Sequence, residues 1–265
     1  MSTQLHYKIE GDGSPIVLLH GLFGSLDNLG LLARDLKNDY QVIRPDLRNH
    51  GLSFQAATHN YQLMAEDVAH LIRSLNLPPV VLIGHSMGGK VAMKLAALAP
   101  QLVSELVVID MAPLTYHERH HDDVFAGLFA VLEKHPPNRE AAMQILAQHI
   151  EQESVRQFLG KSLYRDGDKM AWRFQVEALY NNYEHILDWQ PIQPVQIPTL
   201  FLKGGNSDYI SSDAQAPILE QFPQAKAHII ANTGHWLHAE KPQDVLRVIR
   251  KFLFSGNRIH QQSTA

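Results

Sequence analysis

The sequence predicts an α/β protein with a mostly parallel sheet flanked by helices. Short runs of aliphatic residues alternate with longer helical patterns, and this alternation is typical of βαβ units. Several short runs are apolar throughout, as expected of strands covered on both faces. In the middle of the chain the runs stop and helical patterns alone remain, which indicates an insertion. A length of 265 residues suits one such domain, because α/β folds often exceed 200 residues.

Six strands are predicted, most of them closed by glycine, proline or aspartate. They cover residues 14–21, 41–46, 80–84, 106–110, 199–204 and 226–230. The run Gly11-Asp12-Gly13 before the first strand predicts a hairpin turn.

The helices follow from apolar residues spaced three or four positions apart. One face of a helix is formed by Met64, Val68, Leu71, Ile72 and Leu75. A second helix, at 91–99, stops at Pro100. Asp27 is expected to cap a helix that runs through Leu32 and Leu36. Further helices are predicted at 123–133, 139–152, 171–179 and 242–254, followed by a loose polar tail from residue 255.

The chain divides into a discontinuous core and an inserted cap. Between about residues 115 and 189 the sequence predicts helices and no strand. We therefore assign residues 1–113 and 189–265 to an α/β core and residues 114–188 to a helical cap. Ligands of such sheets bind at the carboxyl ends of the strands, so a pocket is expected there, beneath the cap.

Composition excludes several classes of function. The chain is 45% apolar and 19% charged, which is enough apolar material for a normal core. A net charge of −4 argues against a non-specific nucleic-acid binder, and no apolar run reaches the ~18 residues that span a bilayer. Zero cysteines exclude disulfides and a cysteine nucleophile. With no secretory pattern at the N-terminus, we expect a cytoplasmic protein with a small-molecule partner.

The strongest chemical signal is the run Gly84-His85-Ser86-Met87-Gly88, between a buried strand and a helix. A nucleophile elbow needs this pattern, because its serine occupies a strained turn that requires small residues two positions away on either side. The turn presents Ser86 Oγ at a helix N-terminus, where backbone amides favour negative charge. Ser86 is therefore the predicted nucleophile.

A second signal is the glycine-containing loop 20–24, which follows the first predicted strand. Acyl transfer needs hydrogen-bond donors aimed at the oxyanion of the transition state. We expect the backbone amides of Leu22 and Met87 to supply them. His20 is expected to brace this loop.

The predicted base is His235, which lies between the last strand and a helix. An imidazole can accept the serine proton and return it to the leaving group. The acid has two candidates, because Asp110 ends one strand and Asp208 follows the next. Asp110 is favoured because its apolar neighbours indicate burial, and a buried carboxylate needs a partner.

The substrate pocket is expected to include Phe23, Trp236 and Tyr209. Aromatic residues of the predicted cap suit either the pocket lining or the core of the cap. The histidines and aspartates at 117–123 resemble a metal cluster, but they fit a solvated helix start better, and no metal or cofactor is expected.

Four segments resemble the α/β-hydrolase superfamily and, more narrowly, its small bacterial esterases of the YbfF type. They are residues 20–25 (HGLFGS), 46–53 (DLRNHGLS), 84–90 (GHSMGGK) and 205–207 (GNS). The resemblance implies an α/β-hydrolase fold and hydrolysis of short acyl esters and acyl-CoA thioesters. It also implies an acid 24 residues after the serine, which is Asp110 here.

The function predicted is that of a serine esterase for short- to medium-chain carboxylic esters, with acyl-CoA thioesters as further substrates. The alternatives are other enzymes on the same fold, namely a carbon–carbon bond hydrolase, a haloperoxidase or a lyase. A non-catalytic ligand receptor is a further alternative, since chemistry depends on the site rather than on the fold.

Overall fold

The computed structural model describes residues 3–263, and their side chains as far as Ser255. It has an α/β fold in which a seven-stranded sheet is flanked by helices, as predicted. The described strands are β1 (Tyr7–Glu10), β2 (Pro15–Leu19), β3 (Gln41–Pro45), β4 (Val80–His85), β5 (Val103–Ile109), β6 (Leu163–Asp166), β7 (Lys169–Trp172), β8 (Thr199–Gly204) and β9 (Ala225–Ile230).

The order of the strands brings the expected site residues together. The main sheet runs β1-β3-β2-β4-β5-β8-β9, and every pair is parallel except β1 with β3. The loop after β2 and the turn after β5 therefore flank the turn that follows β4. The predicted hairpin at Gly11–Gly13 is wrong, because β1 pairs with β3 and not with β2.

The helices lie near the positions that the periodicity predicts, but several differ from the predicted length. They are α1 (Gly30–Leu36), α2 (Tyr61–Ser74), α3 (Met87–Leu98), α4 (Asp122–Lys134), α5 (Arg139–Ala147), α6 (Glu153–Gly160), α7 (Val176–Asn181), α8 (Tyr183–Leu187), α9 (Gln215–Gln221), α10 (Leu237–Glu240) and α11 (Pro242–Ser263). Asp27 does not cap α1, because it lies within a 3-10 helix, Leu26–Leu29, that precedes α1. Ser25 caps this 3-10 helix. Helix α11 continues beyond the predicted end at 254 into the segment expected to be loose, and residues 264–265 lie outside the described part.

Two apolar clusters cover the faces of the sheet. One contains the buried side chains of α2 and α3 together with those of residues 114–188. The other contains Leu32, Leu36, Val245 and Ile249 from α1 and α11. Because β2, β4 and β5 are buried along almost their whole length, the sheet is a rigid base for the loops at its carboxyl edge. No described helix is both long and apolar enough to cross a bilayer.

The cap segment, residues 114–188, lies between β5 and β8 and contains α4 to α8. The prediction that it has no strand is wrong, because β6 and β7 form an antiparallel hairpin in it. The turn between them contains Gly167 at φ +64°, a backbone conformation that glycine adopts easily. The predicted helix at 171–179 is also wrong, because β7 ends at Trp172 and α7 starts only at Val176.

The C-terminal end of the cap segment is tied to α2 and α3. Tyr61 Oη donates to the Ile186 carbonyl over 2.6 Å. Lys90 Nζ donates to the carbonyls of Leu187 and Asp188 over 3.0 and 3.2 Å. Lys90 is completely buried, and burial lowers the pKa of its ammonium group to about 7.

Candidate active site

Ser86 occupies a strained turn between β4 and α3. Its φ of +56° lies in the left-handed region, which a residue with a side chain enters at a cost of about 1–3 kcal/mol. A Cβ atom on Gly84 would lie 2.1 Å from the Gly88 carbonyl oxygen, and one on Gly88 would lie 2.3 Å from the Leu19 oxygen. The turn therefore requires both glycines.

The structure brings Ser86, His235 and Asp110 into one hydrogen-bonded chain. His235 Nδ1 lies 2.7 Å from Asp110 Oδ2, and His235 Nε2 lies 2.9 Å from Ser86 Oγ. A carboxylate can only accept, so Nδ1 carries the proton and Nε2 faces the serine as an acceptor. This is the tautomer that a general base for Ser86 requires.

Asp110 is fully buried and its carboxylate receives donors from the loop after β8. Gly204 N–H donates to Oδ1 over 3.0 Å, and Ser207 Oγ–H donates to Oδ2. These hydrogen bonds, together with the one from His235, fix the direction of the carboxylate.

The other candidate acid, Asp208, is exposed, and Asp110 is the carboxylate that contacts His235. Two neighbours of Asp208 contact the site in its place. Ser207 donates to Asp110, and Tyr209 lies against His235. The role of Ser207 was missed, although two sequence signals point to it, namely the position of its loop after β8 and the family resemblance at residues 205–207.

The loop after β2 places Leu22 beside Ser86, and Met87 follows Ser86 at the start of α3. Both residues line the same cavity as Ser86. Phe23 N–H donates to His50 Nε2 over 3.1 Å, and Gly24 N–H donates to the Gly21 carbonyl. The Leu22 amide therefore lies in a loop whose neighbouring amides are already bound to the protein.

Two buried histidines, His20 and His50, support this loop from behind. His20 Nδ1 lies 2.8 Å from the Gly21 oxygen and His20 Nε2 accepts from Leu47 N–H over 3.0 Å. His50 Nδ1 donates to the Arg48 carbonyl, and His50 Nε2 accepts from Phe23 N–H. Burial lowers the pKa of His20 and lowers that of His50 well below its usual value, so both rings are neutral and keep Nε2 as an acceptor.

Two more histidines lie behind His235. His85 Nε2 lies 2.8 Å from the His235 carbonyl oxygen and donates to it, which fixes the backbone of the turn. The rings of His85 and His238 are 4.2 Å apart. Burial lowers the pKa of His85 well below its usual value and that of His238 to about 3, so neither adds positive charge next to His235. His238 lies in the first turn of α10.

A cavity of about 890 Å³ opens above Ser86, between the sheet edge and the cap segment. Its size lies in the upper part of the range for small-molecule sites. The three expected pocket residues, Phe23, Trp236 and Tyr209, all line it. From the cap segment, Tyr116, Phe158 and Tyr183 line it as well, whereas Phe125, Trp172 and Phe174 pack into the cap core.

Four exposed carboxylates and one exposed ammonium group contribute to the lining of this cavity. They are Glu118, Asp123, Glu151, Glu240 and Lys161. The predicted solvated helix start at 117–123 is correct for Asp122 and Asp123 but wrong for His121. His121 Nδ1 lies 2.5 Å from Tyr183 Oη, and burial lowers its pKa to about 4. In the described part of the chain no group of His, Asp or Glu could hold a metal ion.

The arrangement is suited to nucleophilic attack on a carbonyl carbon. Ser86 Oγ can lose its proton to His235, and Asp110 can stabilise the resulting imidazolium. A carbonyl oxygen between Leu22 and Met87 would lie at the N-terminus of α3, where the helix dipole favours negative charge.

Comparisons with known proteins agree with this fold. The family model described as "alpha/beta hydrolase fold" matches residues 14–242. Esterase YbfF of Escherichia coli K12 is 50% identical over 242 residues, which cover 91% of this chain and 94% of that protein. The mouse sn-1-specific diacylglycerol lipase ABHD11 is 36% identical, over 92% of this chain and 83% of that protein.

A solved structure of a marine microorganism esterase superimposes with a TM-score of 0.89. It is 36% identical to this chain and covers 95% of this chain and all of its own. More distant structures, such as a hydrolase of E-2-(acetamidomethylene)succinate at 22% identity and a TM-score of 0.77, share the fold. From the family match and these relatives, the chain belongs to the α/β-hydrolase family.

Proposed function

We propose that this protein is a serine esterase that hydrolyses short- to medium-chain carboxylic esters through an acyl-enzyme on Ser86. One observation carries the proposal, namely the hydrogen-bonded chain from Ser86 Oγ through His235 to the buried Asp110. The printed names of the relatives, esterase and diacylglycerol lipase, support ester hydrolysis as the reaction class.

In the first half of the reaction, Ser86 Oγ attacks the acyl carbonyl carbon while its proton moves to His235 Nε2. The amides of Leu22 and Met87 stabilise the oxyanion, and Asp110 stabilises the imidazolium. His235 then gives the proton to the departing alkoxide, the ester bond breaks, and the acyl group stays on Ser86.

In the second half, water replaces the alcohol. His235 takes a proton from the water, whose oxygen attacks the acyl carbonyl, and the carboxylic acid leaves when the proton returns to Ser86 Oγ. The proposed reaction uses the side chains and amides of this chain and water alone.

Acyl-CoA thioesters are proposed as poorer substrates of the same site. A thioester can form the same acyl-enzyme, since thiolate is a good leaving group. However, four carboxylates and one ammonium group contribute to the cavity lining. The phosphates of CoA would meet net negative charge there, which raises KM for the thioester, and more so at low salt.

Hydrolysis of p-nitrophenyl butyrate and butyryl-CoA by wild type and Ser86→Ala tests the proposal. We expect the variant to lose about 10⁴-fold or more of kcat, because it lacks the nucleophile. A fluorophosphonate should label the wild type and leave Ser86→Ala unlabelled. A folded wild type that neither turns over esters nor reacts with the probe would favour a carbon–carbon bond hydrolase, a haloperoxidase, a lyase or a receptor.

A further inference from the structure

The proposed reaction requires the imidazole of His235 to keep one orientation. Its hydrogen bonds to Asp110 and Ser86 act in the plane of the ring, at the two nitrogen atoms. Such bonds resist tilting of the ring plane only weakly. The side chain is 22% exposed, and it follows a turn rather than lying within a strand or helix. A further contact is needed to fix the plane.

The phenol ring of Tyr209 supplies this contact. Its centroid lies 4.0 Å from that of the His235 ring, and the two planes are only 20° apart. The ring of His85 also approaches His235, but at 4.7 Å and with an angle of 42° between the planes. Tyr209 is therefore the aromatic ring that lies face to face with His235.

Tyr209 is itself held by groups that belong to the site. Tyr116 Oη–H donates to the Tyr209 carbonyl over 2.7 Å, and the two rings are 5.3 Å apart. Tyr209 N–H donates to Ser207 Oγ over 3.3 Å, and Ser207 in turn donates to Asp110. The segment that orients the acid thus also carries the ring that lies on the base.

We propose that Tyr209 is a positioning residue for His235, whose ring holds the imidazole in line with Ser86 and stabilises the imidazolium formed during catalysis. This inference rests on the proposed function. The face of an aromatic ring attracts a cation within about 6 Å of its centroid. Burial raises the pKa of Tyr209 to about 12, so the phenol stays neutral and presents this face at working pH.

Several other ionisable groups lie around His235 and act on its charge. They are Asp110 after β5, His85 at the end of β4, His238 in α10 and His121 before α4. The three histidines have pKa values lowered chiefly by burial, so none of them places a positive charge beside His235 near neutral pH. The contribution of Tyr209 adds to that of Asp110, and removing the ring leaves the carboxylate in place.

The test compares Tyr209→Leu with Tyr209→Phe. Leucine keeps the site apolar but removes the aromatic face, whereas phenylalanine keeps the face and removes the hydroxyl. For Tyr209→Leu we expect the pKa in the kcat/KM profile to fall by about 0.5 to 1, and kcat by about 10-fold. KM for p-nitrophenyl butyrate should change less than about threefold. Tyr209→Phe keeps the ring face, so the pKa in its kcat/KM profile should stay at the wild-type value.

NMR titration of the His235 ring, assigned with His235→Asn, gives its pKa without turnover. A residue that only lines the pocket would change KM or acyl-chain preference and leave both the pH profile and this pKa unchanged, which would overturn the inference. A lowered His235 pKa in Tyr209→Leu, in a protein whose wild type hydrolyses no ester, would support the ring contact and refute the proposed function. The two failures are therefore distinguishable.

Discussion

The loops at the carboxyl edge of the sheet and the cap segment line the same cavity, but different contacts hold them. In the loops, hydrogen bonds fix single atoms, as in the donors from Gly204 and Ser207 to Asp110. In the cap segment, aromatic rings pack edge to face, as Phe125 does against Tyr180 and Tyr183 at 5.2 Å. Hydrogen bonds have a defined direction, whereas apolar packing tolerates substitutions of similar volume.

This difference indicates how the two regions divide the work. The proposed catalysis by Ser86 needs atoms placed within a few tenths of an ångström, and hydrogen bonds in the loops favour such placement. Selection among acyl groups needs a cavity of suitable shape, and the cap segment contributes to that shape. Substitutions in the loops should therefore lower kcat for every substrate, whereas those in the cap segment should change the preference between substrates.

The largest effect is expected at the acid. Asp110→Asn keeps the shape of the side chain but removes the charge that stabilises the imidazolium, and it favours the wrong His235 tautomer. We expect kcat to fall about 10⁴-fold in analogy with other triads. Asp208→Asn, in the same loop as Ser207, serves as the control and should retain wild-type kcat. Loss of activity in the Asp208 variant alone would reverse the assignment of the acid.

A smaller effect on kcat is expected from the histidine that supports the loop after β2. His50→Leu leaves Phe23 N–H buried without its acceptor, next to the proposed donor Leu22. An unsatisfied buried donor costs about 1–3 kcal/mol, so kcat should fall about 10- to 100-fold through displacement of the loop.

The matched variant is His50→Gln, in which the side-chain oxygen can take the place of Nε2. It should recover most of the activity that leucine loses. Equal kcat values for His50→Leu and the wild type would mean that the loop holds its shape without this hydrogen bond.

In the cap segment the expected effect is on preference. Phe158 in α6 stacks on Trp236 at 5.1 Å, and both line the cavity. Phe158→Ala enlarges the cavity, so the kcat/KM ratio of octanoate to butyrate esters should rise about three- to tenfold. Phe129→Ala is the control, because Phe129 contacts Tyr180 and is not part of the lining. A uniform fall in kcat for both esters would contradict the division of work.

The smallest effect concerns the anchor of the cap segment. Lys90 has its pKa lowered to about 7 by burial, so between pH 7 and 10 the unfolded chain binds a proton that the folded chain has lost. Stability contributed by this group therefore increases with pH over that range. The difference in Tm between wild type and Lys90→Met should move in favour of the wild type by several degrees from pH 7 to 10.

Lys94→Met, one turn further along α3, provides the comparison for the anchor. The effect assigned to Lys90 is the change of its Tm difference with pH beyond that of Lys94→Met. If the two variants change equally with pH, the buried amine of Lys90 is not the source of the pH dependence.

The features that the sequence predicts well are those that depend on local rules. The elbow at Ser86 was predictable because backbone sterics demand glycine at positions 84 and 88, and such a demand is visible in a short run of letters. Strands β2, β4, β5 and β8 were predictable for a similar reason, since strands buried on both faces are largely apolar. Local rules of this kind need no knowledge of distant contacts.

The features that were missed depend on contacts between distant parts of the chain. Ser207 meets Asp110 across 97 positions, and Lys90 meets Leu187 across the same separation. The contact of Ser207 with Asp110 follows only once β5 and β8 are paired. The hairpin of β6 and β7 was predictable in principle, because Asp166, Gly167 and Asp168 form a turn signal that the helical pattern around it obscured.

The backbone of Ser86 has a consequence for how such a protein could change over generations. At φ +56° glycine fits without strain, so Ser86→Gly should fold more stably than the wild type while losing the nucleophile. Selection for stability and selection for catalysis thus oppose each other at this position. In a lineage that no longer needs the reaction, selection for stability would favour the replacement of this serine by glycine.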